Sequence, residues 1–296
     1  MSLDRRRQWT LACPVTFEGV GLHSGTKVRM TVRPAPEDSG IHFLRTDRPG
    51  SPKLPALAEY VVETTLSTTL GLGGVKVGTI EHLMAALWGL GITNAEVHVD
   101  AAELPVMDGS SLPYVEGFLA AGRVEQKALR RIIVLQDKIE VQKGDRSVLY
   151  QPGSGHGPEV TCVVDYRHPH AGPQLFEGTV DEPCFVHEIA SARTFCLYSE
   201  IEAMQKAGLV KGGSLENAVV IADEGPLTPL RFANECVRHK VLDLVGDLAL
   251  CGFDWVGSVV AAKAGHPLHV ALALEMRRRV RAGATPENML HVIHAS

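Results

Sequence analysis

Glu235, His239, Asp243 and Asp247 recur at four-residue intervals in Glu235-Cys-Val-Arg-His239-Lys240-Val-Leu-Asp243-Leu-Val-Gly-Asp247. On a helix this spacing makes one polar stripe, with Val237, Val241, Leu244 and Leu248 forming an opposing apolar face. A His and an Asp one turn apart can grip one metal ion together. The competing reading is a solvated acidic stripe that happens to contain a histidine. A second segment, Thr79-Ile-Glu81-His82, adds a histidine with a carboxylate beside it. Catalytic zinc typically takes three protein ligands and keeps a position open for water. His82, His239 and Asp243 would make such a set, and Glu81 would be free to accept a proton. In a third segment, Lys263-Ala-Gly265-His266-Pro-Leu-His269, a histidine projects at a strand-to-helix corner. It has three readings: a general acid, a ligand, or a polar loop residue.

These side chains need helices to carry them and strands to hold the helices. Gly78-Thr79 opens one helix, with Thr79 as its expected N-cap and Ile80, Leu83, Met84 and Leu87 at helical apolar spacing. Gly89 and Gly91 end it. The first sixty residues, rich in Val, Thr and Leu between turn signals, predict short antiparallel strands. A strand follows at Ala95 to Val99, then a helix from about Ser111 to Ala121, stopped by Gly122. Arg123 to Ala128 is polar and lacks clear periodicity, so the domain boundary is expected there, dividing 1–125 from 126–296. The order then recurs: strands at Arg131 to Leu135 and Val160 to Asp165, a helix from Asn234 to Leu250, a strand at Trp255 to Ala262, and a last helix at Leu268 to Ala282. The pattern predicts duplication of one α+β unit. Tyr198 to Val219 interrupts the second half and reads as an insertion carrying a binding loop.

Composition narrows the function classes. The 296 residues are 45% hydrophobic and 21% charged, enough to build a sizeable core. A formal charge of −5 gives no basic surplus for nucleic acid. The runs Arg5-Arg6-Arg7 and Arg277-Arg278-Arg279 read as a terminus and the wet face of a helix. No apolar stretch of signal-peptide or membrane-spanning length is present. The six cysteines are widely spaced with no C-x-x-C pair, which argues against a disulfide framework or a zinc ribbon. The expected setting is the cytoplasm.

Three long motifs, Thr79-Ile-Glu-His-Leu-Met-Ala-Ala-Leu87, Arg238-His-Lys-Val-Leu-Asp-Leu-Val-Gly-Asp-Leu248 and Gly265-His266, resemble the signatures of the UDP-3-O-acyl-N-acetylglucosamine deacetylase family of lipid A biosynthesis. Supporting matches run almost end to end: Gly19-Val-Gly-Leu-His-Ser-Gly25, Glu103-Leu-Pro-Val-Met-Asp-Gly-Ser110, Ala192-Arg-Thr-Phe195 and Lys211-Gly-Gly-Ser-Leu-Glu-Asn217. The resemblance implies two similar α+β domains, with helices packed between two sheets and a zinc site at the domain junction. It implies His82, His239 and Asp243 as ligands, Glu81 as general base, His266 as general acid and Asp247 as the group orienting His266. It further implies Thr194 at the developing oxyanion, and Phe195 with the insertion near 196–219 lining an acyl passage. Lys240 and Lys263 would meet the sugar and diphosphate, and Tyr166 would stack near the uracil. The implied substrate is an acylated UDP-sugar, the cofactor Zn²⁺ and the chain a monomer. His269, Cys196 and Asn234 stand where the family usually has Asn, Gly and an acidic residue. Two other classes stay open: an iron(II) oxygenase, which uses a similar two-His, one-carboxylate triad, and a non-catalytic sugar-nucleotide-binding relative.

Overall fold

The computed structural model describes residues 7–153 and 157–283, so Arg5 and Arg6 lie outside the described residues. The first half begins with β1 (Arg7–Leu11), β2 (Val15–Val20), β3 (Lys27–Pro34), β4 (Ile41–Arg45) and β5 (Lys53–Pro55). It continues with β6 (Val61–Glu63), β7 (Thr69–Leu72), β8 (Val75–Val77), α1 (Glu81–Gly89), β9 (Ala95–Val99) and α2 (Leu112–Ala121). Alternation decides which strand faces are inside: along β3, Val28, Met30 and Val32 are buried while Lys27 and Arg29 are exposed. Five of these strands form a sheet in the order β2-β3-β9-β4-β5. The late-arriving β9 inserts at the centre, antiparallel to β3 and parallel to β4.

The polar segment expected to hold the domain boundary is a strand, β10 (Arg123–Leu129), paired antiparallel with β1. The expected division at residue 125 therefore falls inside a strand that closes back onto the first half. Its polarity follows from its two faces: Glu125 and Lys127 are exposed, while Gln126 turns inward, donating to the Ala35 carbonyl and accepting from the Asn94 side chain.

The second half contains β11 (Ile132–Ile133), β12 (Ile139–Lys143), β13 (Arg146–Gln151), β14 (Pro158–Val164), β15 (Gln174–Thr179), α3 (Glu182–Cys184) and β16 (Phe195–Leu197). After these come α4 (Tyr198–Lys206), β17 (Val219–Ala222), β18 (Gly225–Pro226), α5 (Glu235–Leu248), β19 (Asp254–Trp255), β20 (Gly257–Ala262) and α6 (His266–Ala282). Its main sheet has the order β12-β13-β20-β14-β15, with β20 antiparallel to β13 and parallel to β14. Strand for strand this is the topology of the first sheet. Each half also carries a three-stranded sheet just before its motif helix, β6-β7-β8 before α1 and β16-β17-β18 before α5. The duplication expected from the order of elements is thus present in the fold, an α+β architecture of two similar units.

The helices α1, α5 and α6 lie against the core. α1 packs against α5 and α2, α5 also against β14, β15 and α6, and α6 against β12 and β13. One apolar cluster runs through both halves. On α1, Leu83, Met84 and Leu87 are fully buried, each contributing roughly 2 kcal/mol by leaving water. At Gly246 on α5, any Cβ would collide with the carbonyl oxygen of Glu81. Only glycine lets the two motif helices approach so closely, and that approach sets the distance between their functional side chains. No helix among the described residues is long and apolar enough to cross a membrane.

Candidate active site

α1 begins with Glu81 and His82, so both sit on its first turn. The expected cap is absent: Ile80 occupies the N-cap position with no side-chain cap bond. Thr79, in left-handed backbone at φ 55, instead donates its Oγ1 hydrogen to Glu103 Oε1 at 3.0 Å. The same carboxylate accepts the backbone N–H groups of His23 and Ser24, each at 2.8 Å. Glu103 thereby ties three separate loops together and stabilises a conformation that costs a non-glycine residue about 1–2 kcal/mol.

The stripe on α5 is not solvated. Glu235, His239, Asp243 and Asp247 are all buried, which removes the acidic-stripe alternative, since unpaired carboxylates do not go inside without partners. Glu235 pairs with the Arg193 guanidinium at 2.8 Å and accepts the Arg193 and Arg231 backbone N–H groups. That anchor holds the loop carrying Thr194. Thr194 also donates its N–H to Gly109 O at 2.8 Å. Gly109 has φ 85, and a Cβ there would strike the Asn217 carbonyl.

His82, His239 and Asp243 converge, with one ligand atom from each lying within 4.8 Å of the others. The nearest approaches to Asp243 Oδ1 are 3.4 Å from His239 Nε2 and 3.8 Å from His82 Nε2. Asp243 Oδ1 is buried and has no hydrogen-bond partner, an orphaned acceptor that is costly unless something cationic takes it. His239 Nδ1 donates to the Ala192 carbonyl at 3.0 Å, leaving Nε2 with its lone pair toward the carboxylate, as in metal-binding histidines. Burial and the neighbouring His239 push His82 down to about 3, and burial lowers His239 as well. Burial opposes ionisation of Asp243, but Lys240 and the histidines hold its carboxyl well below the usual range. Two neutral imidazoles and one anionic oxygen without a partner are a donor set that fits a divalent metal ion.

Across from this set, Glu81 Oε2 accepts the Thr68 backbone N–H at 3.0 Å, while Oε1 lies 3.9 Å from His266 Nε2. Burial raises the Glu81 carboxyl to about 7, against the pull of His266. His266 opens α6, three residues after Lys263, whose backbone is also left-handed at φ 52. Its Nδ1 donates to Asp247 Oδ2 at 2.8 Å. Burial alone would lower His266, but Asp247, by charge and hydrogen bond, lifts it to about 9. A carboxyl and an imidazole with values displaced in these directions, facing one another across a gap, form an acid–base pair.

Glu81, His82, Thr194, Phe195, His239, Lys240, Asp243, Lys263, His266 and Tyr166, all singled out from sequence, line one cavity of about 860 Å³. Asp247 stands behind His266, outside that lining. Phe195 lies edge-on between Tyr166 and His239, at 5.2 and 6.2 Å between ring centroids. Lys240 donates to Asp243 Oδ2 at 2.8 Å rather than pointing freely into the cavity, and Lys263 pairs with Asp145 at 3.2 Å. From the insertion, α4 supplies Ile201 and Met204, and the following loop Val210 and Leu215, to an apolar arm of the same cavity.

Sequence reasoning missed Thr68, Glu103 and His23. The last two lay in motifs already noticed. Glu103 is read as a loop acid until its three donors are seen. His23 lines the cavity, with both ring nitrogens buried and without partners. Nothing local marks Thr68, which matters only because it touches Glu81 and Asp247.

A family model for UDP-3-O-acyl N-acetylglycosamine deacetylases matches residues 8–278. The UDP-3-O-acyl-N-acetylglucosamine deacetylase of Myxococcus xanthus is 44% identical over 264 residues, covering 88% of this chain and 83% of the relative. Proteins of the same name from an Anaeromyxobacter species and from Teredinibacter turnerae are 45% and 44% identical, covering 90% and 92% of this chain and 86% and 91% of their own. Agreement at this level along nearly the whole length, over a site that fits a metal ion, leaves one assignment: the chain belongs to the UDP-3-O-acyl-N-acetylglucosamine deacetylase family of enzymes.

Proposed function

We propose that this chain hydrolyses the N-acetyl group of a UDP-3-O-acyl-N-acetylglucosamine in lipid A biosynthesis. In this reading it is a zinc-dependent cytoplasmic monomer whose two domains meet at the site. The observation that carries the reading is the facing pair Glu81 and His266, 3.9 Å apart beside a three-ligand set with an orphaned oxygen. His82, His239 and Asp243 would hold the zinc, which when bound supplies Lewis acidity and lowers the pKa of water toward about 7.

Glu81 takes the proton of the attacking water, its other oxygen held by Thr68. Thr194 donates to the acetyl oxygen as negative charge gathers there. His266, kept cationic by Asp247, gives its proton to the departing nitrogen, because an amine anion is a poor leaving group. One C–O bond forms and the amide C–N bond breaks, leaving acetate and the 2-amino sugar nucleotide. Phe195 and the apolar arm take the fatty chain. Lys263 meets the diphosphate, and Lys240 reaches a substrate oxygen once it releases Asp243. Tyr166 flanks the nucleobase end.

The substrate assignment is tested by comparing kcat/KM for acetate release from the acylated sugar and from UDP-N-acetylglucosamine. Each buried CH₂ is worth roughly 0.8 kcal/mol before ordering costs, so losing the chain should cost at least about 100-fold. Equal turnover of the unacylated compound would sink the assignment.

The acid–base roles predict a bell-shaped rate profile. Glu81 works ionised, so activity rises with pH through its value of about 7, or lower once a cation sits nearby. His266 works protonated, so activity falls as pH passes about 9. In His266→Ala with its metal content verified, the alkaline limb should vanish at a much reduced rate. A limb unchanged in position assigns it to the metal site or the substrate instead.

A further inference from the structure

Three donors converge on the buried carboxylate of Asp247. Oδ1 accepts Thr68 Oγ1 at 2.5 Å, while Oδ2 accepts both His266 Nδ1 at 2.8 Å and His269 Nδ1 at 2.9 Å. The deacetylation mechanism uses Thr68, Asp247 and His266 and gives His269 no part. Yet His269 is 1% exposed, and leaving such a ring where no polar group is needed is costly. It lies one turn along α6 from His266, with the rings 6.1 Å apart and crossed at 77°. The cavity lining includes His266 but not His269. His269 therefore cannot touch substrate, and whatever it does passes through Asp247.

One carboxylate oxygen can accept from both rings only if each Nδ1 bears a hydrogen. That dictates the tautomer of each histidine. It also explains why Asp247, His266 and His269, although close enough to be considered as a metal set, do not make one: both Nδ1 atoms and both carboxylate oxygens are already spent on hydrogen bonds.

We propose that His269 is a positioning residue for the deacetylation: its Nδ1–H, sharing Asp247 Oδ2 with His266, pins the carboxylate and limits how tightly that carboxylate holds the acid's proton. The proposal rests on the reading of His266 as the general acid. A carboxylate that spreads its charge over three donors holds each less strongly. A general acid must release its proton to the leaving nitrogen within each turnover, so an over-strong Asp247–His266 bond slows that step.

His269 does this as a neutral donor. Burial lowers its pKa against the attraction of Asp247, and the N-terminal end of α6 disfavours a second cation on the same turn. The groups acting on His266 are Glu81 and His82 from α1, His239, Asp243 and Asp247 from α5, and His23 from the loop after β2. Of the residues bonded to Asp247, Thr68 also supplies the N–H that holds Glu81 and His266 is the acid, which leaves His269 as the one with no part in the chemistry.

The test uses zinc-loaded full-length protein labelled with ¹⁵N-histidine, together with acetate-release kinetics on the acylated UDP-sugar. In wild type, His269 should carry its hydrogen on Nδ1; finding it on Nε2 overturns the proposal without any variant. His269→Leu removes the donor at similar bulk, and His269→Asn keeps an N–H. The Leu variant should lose about tenfold in kcat, with KM within about twofold. Its His266 ring should titrate roughly half a pH unit higher or more. The Asn variant should recover most of the loss. Equal loss in both variants, or a His266 titration that does not rise in the Leu variant, overturns the proposal. If the His266 titration rises while the alkaline limb of the rate stays put, His269 acts on His266 as stated and the assignment of His266 as the acid is what fails.

Discussion

Stripping the metal from the purified protein should abolish acetate release, and one equivalent of zinc should restore it. The expectation comes from the surroundings of the ligand set. Asp243 Oδ1 is buried without a hydrogen-bond partner, and the two imidazoles beside it are driven toward the neutral form that binds metal. Without the cation nothing else in the cavity can activate water: Glu81, with its carboxyl near 7, is far too weak a base to deprotonate bulk water unaided. The fold should survive the treatment. Lys240 remains paired with Asp243, and the apolar cluster around α1 and α5 owes nothing to the ion. Loss of activity with an unchanged near-ultraviolet circular dichroism spectrum is thus the expected pair of observations. Full turnover in a sample shown by elemental analysis to be metal-free would falsify the reading. Restoration by iron(II) only in the presence of oxygen and a cosubstrate would point to different chemistry altogether.

Glu81→Gln should keep the metal and lose most of the turnover. Gln has the shape of Glu and retains an oxygen for the Thr68 N–H that now holds Oε2 at 3.0 Å, but it cannot accept a proton. General-base catalysis is typically worth ~10²–10⁴-fold, so kcat should fall by about that factor. KM should change little, because the carboxylate acts on water and not on the ground-state sugar. Metal content is the decisive control. If zinc is lost in proportion to activity, Glu81 is a ligand and its role as base is wrong. The acid limb of the rate profile offers a second control: if Glu81 is the base, the limb should be absent from whatever activity the variant retains.

Much of this site was legible without coordinates, for a reason particular to helices. The i, i+4 spacing of His239, Asp243 and Asp247 fixes their relative directions wherever the helix lies, so two of the three proposed ligands could be read from one segment. The neighbours Glu81 and His82 carry similar local information. The strand at Ala95 to Val99 was legible to the residue because its alternation is not broken by turns. Gly89 is the last residue of α1, and Gly122, at φ 75, stands just beyond α2. Both were legible as helix ends because glycine weakens a helix interior and tolerates left-handed backbone.

Other features had no local signal. Polar residues in 123–128 suggested a domain boundary, yet they form a strand because β1, more than a hundred positions earlier, offers an edge to pair with. Thr79 has a capping side chain but spends it on Glu103, a buried carboxylate that gathers three donors and outcompetes one helix N-terminus. Whether the stripe on α5 was wet or buried could not be read from its own residues, because burial depends on what packs against it. Gly246 decides that contact, by admitting the α1 backbone where any side chain would hold it off. Most of the acid–base pairing belongs to the same category. The 3.9 Å between Glu81 and His266, and the sharing of Asp247 by two histidines, arise only when two copies of one fold bring α1, α5 and α6 together. Residue type and helical spacing thus determined which chemical groups this protein owns and which face of each helix bears them. Their burial, their protonation and their distances across the junction were set by tertiary packing, because each depends on atoms supplied by segments far away in the chain.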